Sequence, residues 1–139
     1  ILHDMVEHTE RAGMGTTCTT ALIIGDVLRV AHVGDSSAFL IRGDRIKKLT
    51  EEHHMSGSLS NSLGVRLAAY RGAQLVLQLL ESGDIVVLCS DGLTDYASQK
   101  CIGRLARQSF EKLADALVQY ALDEGGHDNI TVIAAQVAP

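Results

Sequence analysis

The sequence has no long apolar run, no basic block and no paired cysteine motif. No run approaches the roughly 18 apolar residues that a transmembrane helix needs, so we predict no membrane span. The net charge of −5 comes without a cluster of Lys and Arg, which argues against binding to nucleic acid. Cys18, Cys89 and Cys101 are odd in number and form no CxxC pair. Reduced thiols in a cytoplasmic protein are the simplest interpretation.

Repeats and low-complexity segments are also absent from the 139 residues, of which 46% are hydrophobic. This length and composition predict one folded domain, because two domains of ordinary size would need more residues. The first ten residues contain neither the basic region nor the apolar core of a secretion signal. Apolar residues at positions 1, 2, 5 and 6 are spaced as on a helix. Since no capping residue comes before them, we expect that another segment preceded this helix.

β-Branched residues separated by glycine turns predict antiparallel strands in the first part of the chain. The connections are only about two residues long, which favours a meander over strand–helix–strand units. A polar segment at 50–61 is typical of a loop, and a further strand is predicted at 74–80. The four earlier strands are predicted at 16–24, 27–33, 37–41 and 45–49.

The central feature of the sequence is the segment from Asp84 to Asp95, which reads DIVVLCSDGLTD. Its apolar part, 85–89, has the length and the β-branched content of a strand that is buried on both faces. An acidic residue at the end of such a strand is costly to desolvate unless it meets a cation or strong hydrogen-bond donors. Asp91 is therefore a candidate metal ligand. Gly92 after it allows the sharp turn or the close approach that such a site needs.

The last third of the chain predicts two helices and a strand. The helices are expected at 98–108 and at 110–122, where apolar residues recur at every third or fourth position, with Ser109 as the N-cap of the second. A glycine pair at 125–126 ends the second helix, and the last strand is predicted at 130–137.

Three aspartates share a position at the end of a predicted strand, close to a glycine. Asp35 and Asp91 follow their strands, whereas Asp128 precedes its own. Because antiparallel neighbours bring the end of one strand beside the start of the next, Asp91 and Asp128 can meet at one rim. Carboxylates that converge repel one another, and an oxygen-only ligand set suits Mg²⁺ or Mn²⁺. The alternative is that each is a turn aspartate that bonds its own backbone.

Two adjacent histidines, His53 and His54, raise the question of a zinc site. Neighbours in sequence rarely bind one metal unaided, and no Cys or His partner lies at zinc-finger spacing. A solvated loop is the interpretation that we favour. His32, beside a strand end, is interpreted as solvated in the same way.

Six short motifs occur in an order that is typical of a known family. They are GMGTT at 13–17, AHVGDSSAFL at 31–40, KLTEEHH at 48–54, NSLG at 61–64, LCSDGLTD at 88–95 and HDNITVI at 127–133. Together they resemble the metal-dependent protein serine/threonine phosphatases of the PPM type (type 2C), in their bacterial form. The resemblance implies an α+β fold in which two antiparallel β-sheets form a sandwich flanked by helices.

The resemblance also implies a metal site and a reaction. Asp91 and Asp128 match the ligands of one ion in a Mn²⁺ or Mg²⁺ pair, and Asp35 matches the acid that holds a third, weaker ion with Asp91. Asn129 and Gly92 match residues that support the neighbouring ligands. The metal pair activates a water that attacks the phosphate of phosphoserine or phosphothreonine in proteins.

The sequence departs from the family pattern in three places. Nothing at 1–12 matches the family's front strands, which carry an acidic ligand, a metal-bridging Asp-Gly and a basic residue that binds phosphate. The link between His54 and Gly57 is shorter than the family's flap of roughly two dozen residues. Ser37 replaces the arginine that commonly follows the GDS motif. We therefore expect residues 1–139 to be the C-terminal part of a single phosphatase-like domain, without the N-terminal strands and most of the flap.

Two interpretations of the function follow. In the first, the chain comes from a phosphatase that acts on phosphoproteins, often in opposition to a serine/threonine kinase, and the 139-residue chain is inactive by itself. In the second, it is a pseudophosphatase or a regulatory binding fragment. Because a water carries out the attack, Cys89 is interpreted as a core residue. Missing strands would leave sheet edges exposed, so we also expect oligomers through those edges.

Overall fold

The computed structural model describes residues 15–55, 58–59, 61–64 and 72–138. These residues form two antiparallel β-sheets with helices on one side, which confirms the expected α+β sandwich. The predicted helix at the start of the chain lies outside the described residues. The strands are β1 (Cys18–Ile24), β2 (Val27–Val33), β3 (Ser37–Arg42), β4 (Arg45–Lys48), β5 (His54–Met55), β6 (Ser58–Leu59), β7 (Gln74–Leu79), β8 (Ile85–Cys89) and β9 (Val132–Gln136), and the helices are α1 (Asp91–Thr94), α2 (Gln99–Ala106) and α3 (Leu113–Asp123).

Seven of the nine described strands form a three-stranded sheet, in the order β1-β2-β7, and a four-stranded sheet, in the order β4-β3-β8-β9, while β5 and β6 pair with each other. The predicted strands are confirmed. The prediction of one continuous meander is wrong, because β2 and β3 belong to different sheets and the chain crosses between them at Gly34. The predicted loop at 50–61 also contains the short hairpin β5–β6.

The two sheets face each other across an apolar interior. Leu28 and Val30 of β2 are buried there together with Ala38, Leu40 and Val86 of the four-stranded sheet. Alternate residues of the same strands point to the other face of that sheet, since side chains alternate along a strand. One apolar layer therefore joins the sheets, and a second layer lies between the four-stranded sheet and the helices.

β8 is buried on both faces, as its sequence predicts. Val86 faces the interior between the sheets, whereas Val87 packs with Phe39 on the helix side. Leu93 of α1 and Ile102 of α2 belong to the same cluster and are fully buried. β8 is thus the strand around which both apolar layers are built.

Two of the helices agree with the predictions, and the one-turn helix α1 is not predicted. Ser98 caps α2, and its hydroxyl accepts the N–H of Cys101 at 3.3 Å. The predicted N-cap of α3 is wrong. Ser109 donates its hydroxyl to Glu111 instead, and the helix begins only at Leu113.

The helices are short. The longest helix in the described part of the chain, α3, has 11 residues and ends at a glycine pair, Gly125 and Gly126, with φ angles of 140° and 54°. The sequence predicts that this glycine pair ends the helix. Within the described part of the chain, no helix is long and apolar enough to cross a membrane.

The crossing between the sheets requires a glycine at position 34. The φ angle of Gly34 is +115°, a conformation that residues with a Cβ rarely adopt. A Cβ atom there would also lie 2.4 Å from Cγ2 of Thr17. Gly34 therefore lets the segment before Asp35 lie directly against the residue that precedes β1.

A buried ion pair joins the two sheets near the start of β8. The side chain of Asp84 is fully buried and accepts two hydrogen bonds from Arg42, at 2.8 Å from Nε and 2.6 Å from Nη2. Its Oδ2 also accepts the N–H of Glu81 at 2.8 Å. Arg42 extends from β3 and donates to the carbonyl of Leu79 in β7, so one side chain contacts both sheets. The hydrogen bonds from Arg42 are the main reason why the pKa of Asp84 is lowered.

We predict that Gly34→Ala destabilises the fold more than Gly25→Ala does. Both glycines have positive φ angles, of +115° and +61°, so both substitutions strain the backbone. Gly34 meets Thr17, whereas no described atom lies within 4 Å of a Cβ placed at Gly25. We expect an additional loss of about 2 kcal/mol in the free energy of unfolding, measured with urea. Equal losses in the two variants would contradict this role of Gly34.

Asp84→Asn should lower the free energy of unfolding by about 2 kcal/mol at pH 7, because a buried carboxylate loses its charge-assisted bonds to Arg42. Since folding lowers the pKa of Asp84, its contribution is present above the usual Asp pKa of about 3.9 and is lost as the pH falls through the lowered value. The difference between variant and parent should therefore narrow in acid. Asp44→Asn, in an exposed turn, is the matched control and should change stability by less than about 0.5 kcal/mol. A difference that stays constant from neutral to strongly acidic pH would contradict the ion pair's role.

Candidate metal centre

The topology brings the starts of β3 and β9 and the end of β8 to one rim of the sandwich. The last residue of β8 pairs with the first residue of β3 on one side and with the first residue of β9 on the other. Asp35 precedes β3, Asp91 follows β8 and Asp128 precedes β9. These three aspartates form what we call the carboxylate rim.

Ser90 holds two chain segments of the carboxylate rim together beyond the end of the strand pairing. Its hydroxyl donates to the carbonyl of Asn129 at 3.0 Å and accepts the N–H of Thr131 at 3.0 Å. Its own N–H donates to the carbonyl of Thr131 at 3.1 Å. Gly92 permits this contact, because a Cβ there would lie 2.5 Å from the carbonyl oxygen of Asn129. The glycine after Asp91 is thus needed for the approach of backbone to backbone.

Asp91 begins α1, directly after the buried end of β8. Burial raises the pKa of its carboxyl, and the negative charges of Asp35 and Asp128 raise it further. The N–H of Gly92 lies 2.9 Å from Oδ1 of Asp91, and this hydrogen bond lowers the pKa. The lowering is smaller than the raising effects combined, so the pKa of Asp91 remains raised. The ionised form of Asp91 is therefore held in an unfavourable environment that a nearby cation would improve.

Asp128 is exposed and lies in the turn before β9. Its Oδ1 accepts the N–H of Asn129 at 2.7 Å, just as Oδ1 of Asp91 accepts the N–H of Gly92. In both bonds, a turn aspartate accepts a hydrogen bond from nearby backbone, which is the alternative to metal binding that the sequence leaves open. That alternative therefore describes the local conformation of Asp91 and Asp128 correctly. Asn129 contributes its backbone carbonyl, which binds Ser90. Support of a metal ligand by the Asn129 side chain stays a prediction.

Asp35 is buried, with 8% of its surface exposed, and the backbone on both sides of it is fixed. Gly34 donates its N–H to Nδ1 of His53 at 3.0 Å, and His53 donates its N–H to the carbonyl of Gly34 at 2.8 Å. On the other side, the hydroxyls of Ser36 and Thr17 lie 3.0 Å apart. The position of Asp35 is therefore set by tertiary hydrogen bonds of its neighbours.

The histidines near the rim have structural partners. The rings of His53 and His32 lie 5.1 Å apart, and His32 is buried between the hydroxyl of Thr19 at 2.8 Å and the carbonyl of Glu51 at 3.1 Å. Burial lowers the pKa of His32, and the neighbouring His53 lowers it further. The interpretation of His32 as solvated is therefore wrong, whereas His53 is half-buried and has a structural partner in Gly34. Their hydrogen bonds join segments distant in sequence, which sequence spacing does not reveal.

The carboxylate rim offers an incomplete ligand set. Among the described residues, no group of three or more His, Cys, Asp or Glu side chains is arranged to hold a metal ion. The rim consists of carboxylate oxygens, which suit Mg²⁺ or Mn²⁺, and these ions complete their coordination with water. Burial is the main reason why the pKa of Asp91 is raised, and the negative charges of Asp35 and Asp128 add to this effect. The residues of the rim therefore fit part of a site for a hard divalent cation.

Two side chains next to the rim are buried without lining it. Cys89 is a free cysteine, and burial raises its pKa to about 12, so its thiol stays protonated like that of a core residue.

Ser37 is fully buried, and its hydroxyl has no hydrogen-bond partner among the described residues. A buried hydroxyl without a partner costs about 1–3 kcal/mol. The hydroxyl of Ser37 is thus a local defect two residues after Asp35.

Comparison with known proteins places these features in a family. The family model described as Protein phosphatase 2C matches residues 2–59. The serine/threonine protein phosphatase PstP of Mycobacterium tuberculosis is 32% identical over 143 residues, which cover 90% of this chain and 28% of that protein. The protein phosphatase PhpP of Streptococcus pneumoniae is 32% identical over 152 residues, which cover 94% of this chain and 61% of that protein. The chain therefore spans less than two thirds of either relative.

Both alignments have more positions than the chain has residues, since 143 and 152 exceed 139. Each relative therefore carries residues within the aligned region that this chain lacks. The short link at 54–57 is where we predict such a difference. Residues 56, 57 and 60 lie outside the described residues, so the position of the difference stays a prediction.

Solved structures agree with the family in fold. The catalytic domain of PstP in complex with 2 manganese ions has a TM-score of 0.88 and 27% identity, with 99% of this chain and 65% of that chain covered. A bacterial serine phosphatase has a TM-score of 0.88 and 30% identity, with 98% of this chain and 63% of that chain covered. Motifs, fold and relatives agree, and the chain belongs to the protein phosphatase 2C family, the PPM type, in its bacterial form.

Proposed function

We propose that this chain supplies part of the catalytic centre of a phosphatase that removes phosphate from serine and threonine side chains of proteins. The observation that carries this function is the carboxylate rim, where burial and the charges of Asp35 and Asp128 raise the pKa of Asp91. The printed names of the relatives, serine/threonine protein phosphatases, support it. The partners would be phosphoprotein substrates and an opposing serine/threonine kinase in the cytoplasm.

The cofactors that we propose are Mn²⁺ or Mg²⁺. Asp91 and Asp128 would hold one ion of a pair, and Asp35 together with Asp91 would hold a further, weaker ion. The relative whose catalytic domain was solved with 2 manganese ions supports this choice of metal. When bound, such ions lower the pKa of a coordinated water and neutralise charge on the phosphate. Two ions need more ligands than three aspartates, so we propose that the 139-residue chain alone does not hydrolyse phosphate.

The residues of the chain would keep the acids in place for this reaction. β8, buried on both faces, gives Asp91 a rigid base. Ser90 holds the segment next to Asp128 against the end of that strand. Cys89 stays a neutral thiol at physiological pH, below its pKa of about 12, so it does not compete with water as the nucleophile.

A pseudophosphatase or a regulatory binding fragment is the second candidate function. The incomplete ligand set among the described residues favours it. Among the described strands, β1 and β9 both lie at sheet edges, and neither contains a charged residue. Edges without charge pair readily with another chain, so we propose that oligomers form through these edges.

Titration with Mn²⁺ by calorimetry separates the two candidates. For the natural protein at its full length, we expect two or more sites and hydrolysis of p-nitrophenyl phosphate. Asp91→Asn removes a shared ligand and should lower kcat by about 100-fold or more, which corresponds to about 2.7 kcal/mol in the barrier. Asp123→Asn is the matched control, because Asp123 bonds Gln119 on the exposed face of α3. Its activity should equal that of the parent.

One site or none, without hydrolysis, would favour the pseudophosphatase. Hydrolysis that Asp91→Asn leaves unchanged would overturn the proposed metal site. The 139-residue chain alone should bind at most one ion and should be inactive.

Without metal, Asp91→Asn should make the folded state more stable. Because the folded pKa of Asp91 is raised above its unfolded value, the parent loses stability as the pH rises from the unfolded pKa to the folded one, whereas asparagine does not titrate. Allowing for solvent screening, we expect a gain of up to about 1 kcal/mol at pH 7, vanishing below about pH 4. Urea denaturation with EDTA present measures this gain, with Asp44→Asn as the control. A loss of stability in Asp91→Asn would show that Asp91 has a structural role.

A further inference from the structure

Ser90 occupies the N-cap position of α1 but does not cap the helix. Its backbone angles, φ −73° and ψ 166°, are those of an N-cap residue, yet its side chain makes no capping hydrogen bond. The hydroxyl instead donates to the carbonyl of Asn129 and accepts the N–H of Thr131. In α2, by contrast, Ser98 at the same position caps its helix by accepting the N–H of Cys101. The two serines thus provide a comparison within one chain.

The bonds of Ser90 lie where the strand pairing has ended. β8 and β9 pair as far as Cys89 with Val132, and the two segments then continue toward Asp91 and Asp128 without further ladder pairs. Ser90 is the direct neighbour of Asp91, and Asn129 is the direct neighbour of Asp128. The Ser90 hydroxyl therefore connects the residues next to the two acids, in addition to the backbone bond from the Ser90 N–H to the carbonyl of Thr131.

We propose that Ser90 is a positioning residue that sets the separation of the Asp91 and Asp128 carboxylates for one divalent cation. This role depends on the proposed function. The distance between two ligands on separate segments is fixed only if the segments are fixed, and residues that orient metal ligands commonly change affinity by about 10–100-fold. Gly92 also helps to hold the two segments together, because it lets the carbonyl of Asn129 approach α1.

The surroundings of Ser90 make its substitution interpretable. Ser90 and Thr131 line an open cleft of about 310 Å³ between the sheets, together with Thr17 and Ser36. In Ser90→Ala, water from this cleft can reach the groups that the hydroxyl releases, so the fold need not bear an unsatisfied polar group. We therefore expect Ser90→Ala to fold but to lose the fixed spacing between the segments of Asp91 and Asp128.

The experiment compares Ser90→Ala, Ser90→Thr and Ser98→Ala in the natural protein at its full length. Amide hydrogen exchange without metal reports on the N–H of Thr131, and calorimetry measures the dissociation constant for Mn²⁺. Ser90→Ala should accelerate exchange at Thr131 and weaken Mn²⁺ binding about tenfold. Ser90→Thr keeps a hydroxyl on an extended backbone. Its exchange rate at Thr131 and its dissociation constant for Mn²⁺ should both stay within about threefold of the parent values. Ser98→Ala should lower the urea midpoint through loss of its cap but leave both readouts unchanged.

Unchanged exchange at Thr131 in Ser90→Ala would overturn the connection itself. Faster exchange with a Mn²⁺ dissociation constant within twofold of the parent would overturn the positioning role, as would equal weakening in Ser98→Ala. If Ser90→Ala does not fold, Ser90→Thr decides, because loss of Mn²⁺ binding with the hydroxyl present contradicts the role. A parent that binds no Mn²⁺ would overturn the proposed function and the metal role of Ser90 together, while exchange at Thr131 would still report on the connection.

Discussion

Repulsion among Asp35, Asp91 and Asp128 would separate their segments if the strands that carry them were not paired. β8 is hydrogen-bonded to β3 along one edge and to β9 along the other, and its side chains are buried on both faces. The pairing and the two apolar layers stabilise the fold enough to hold the ionised Asp91 in surroundings that are unfavourable for it when no cation is present. The core thus keeps Asp91 in its place at the carboxylate rim. Such a conflict between stability and arrangement is typical of functional sites.

The acids on either side of β8 have opposite electrostatic surroundings. Asp84, just before the strand, is fully buried and doubly bonded to Arg42, and its pKa is lowered. Asp91, just after the strand, has its pKa raised by burial and, to a smaller extent, by the negative charges of Asp35 and Asp128. The charge of Asp84 is already compensated by the protein, so it gains little from a metal ion. The charge of Asp91 is not compensated in this way, and perturbed groups of this kind concentrate at functional sites.

Local patterns predict the strands and the rim, because β-branched runs, glycine turns and acids at strand ends are each visible within a few residues of sequence. The crossing at Gly34 is not visible in this way, since it depends on contact with Thr17. The bond between Arg42 and Asp84 joins residues 42 positions apart, and Ser90 reaches a residue 39 positions away. Such contacts are properties of the assembled sheets. The connection that Ser90 makes between two segments is one such contact, and the residues around Ser90 in the sequence do not predict it.

The side chains that hold the backbone beside the carboxylate rim carry no formal positive charge. Ser90 holds Asn129 and Thr131 through a hydroxyl, and His53 accepts the N–H of Gly34 through an unprotonated ring nitrogen. Both act on backbone groups beside the acids and not on the carboxylates. An arginine in either place would lower the pKa of the nearest acid, as Arg42 does for Asp84, and would compete with a metal ion for it. Neutral groups that bind the backbone fix the position of the acids and leave their charge in place, which is the arrangement that a divalent cation requires.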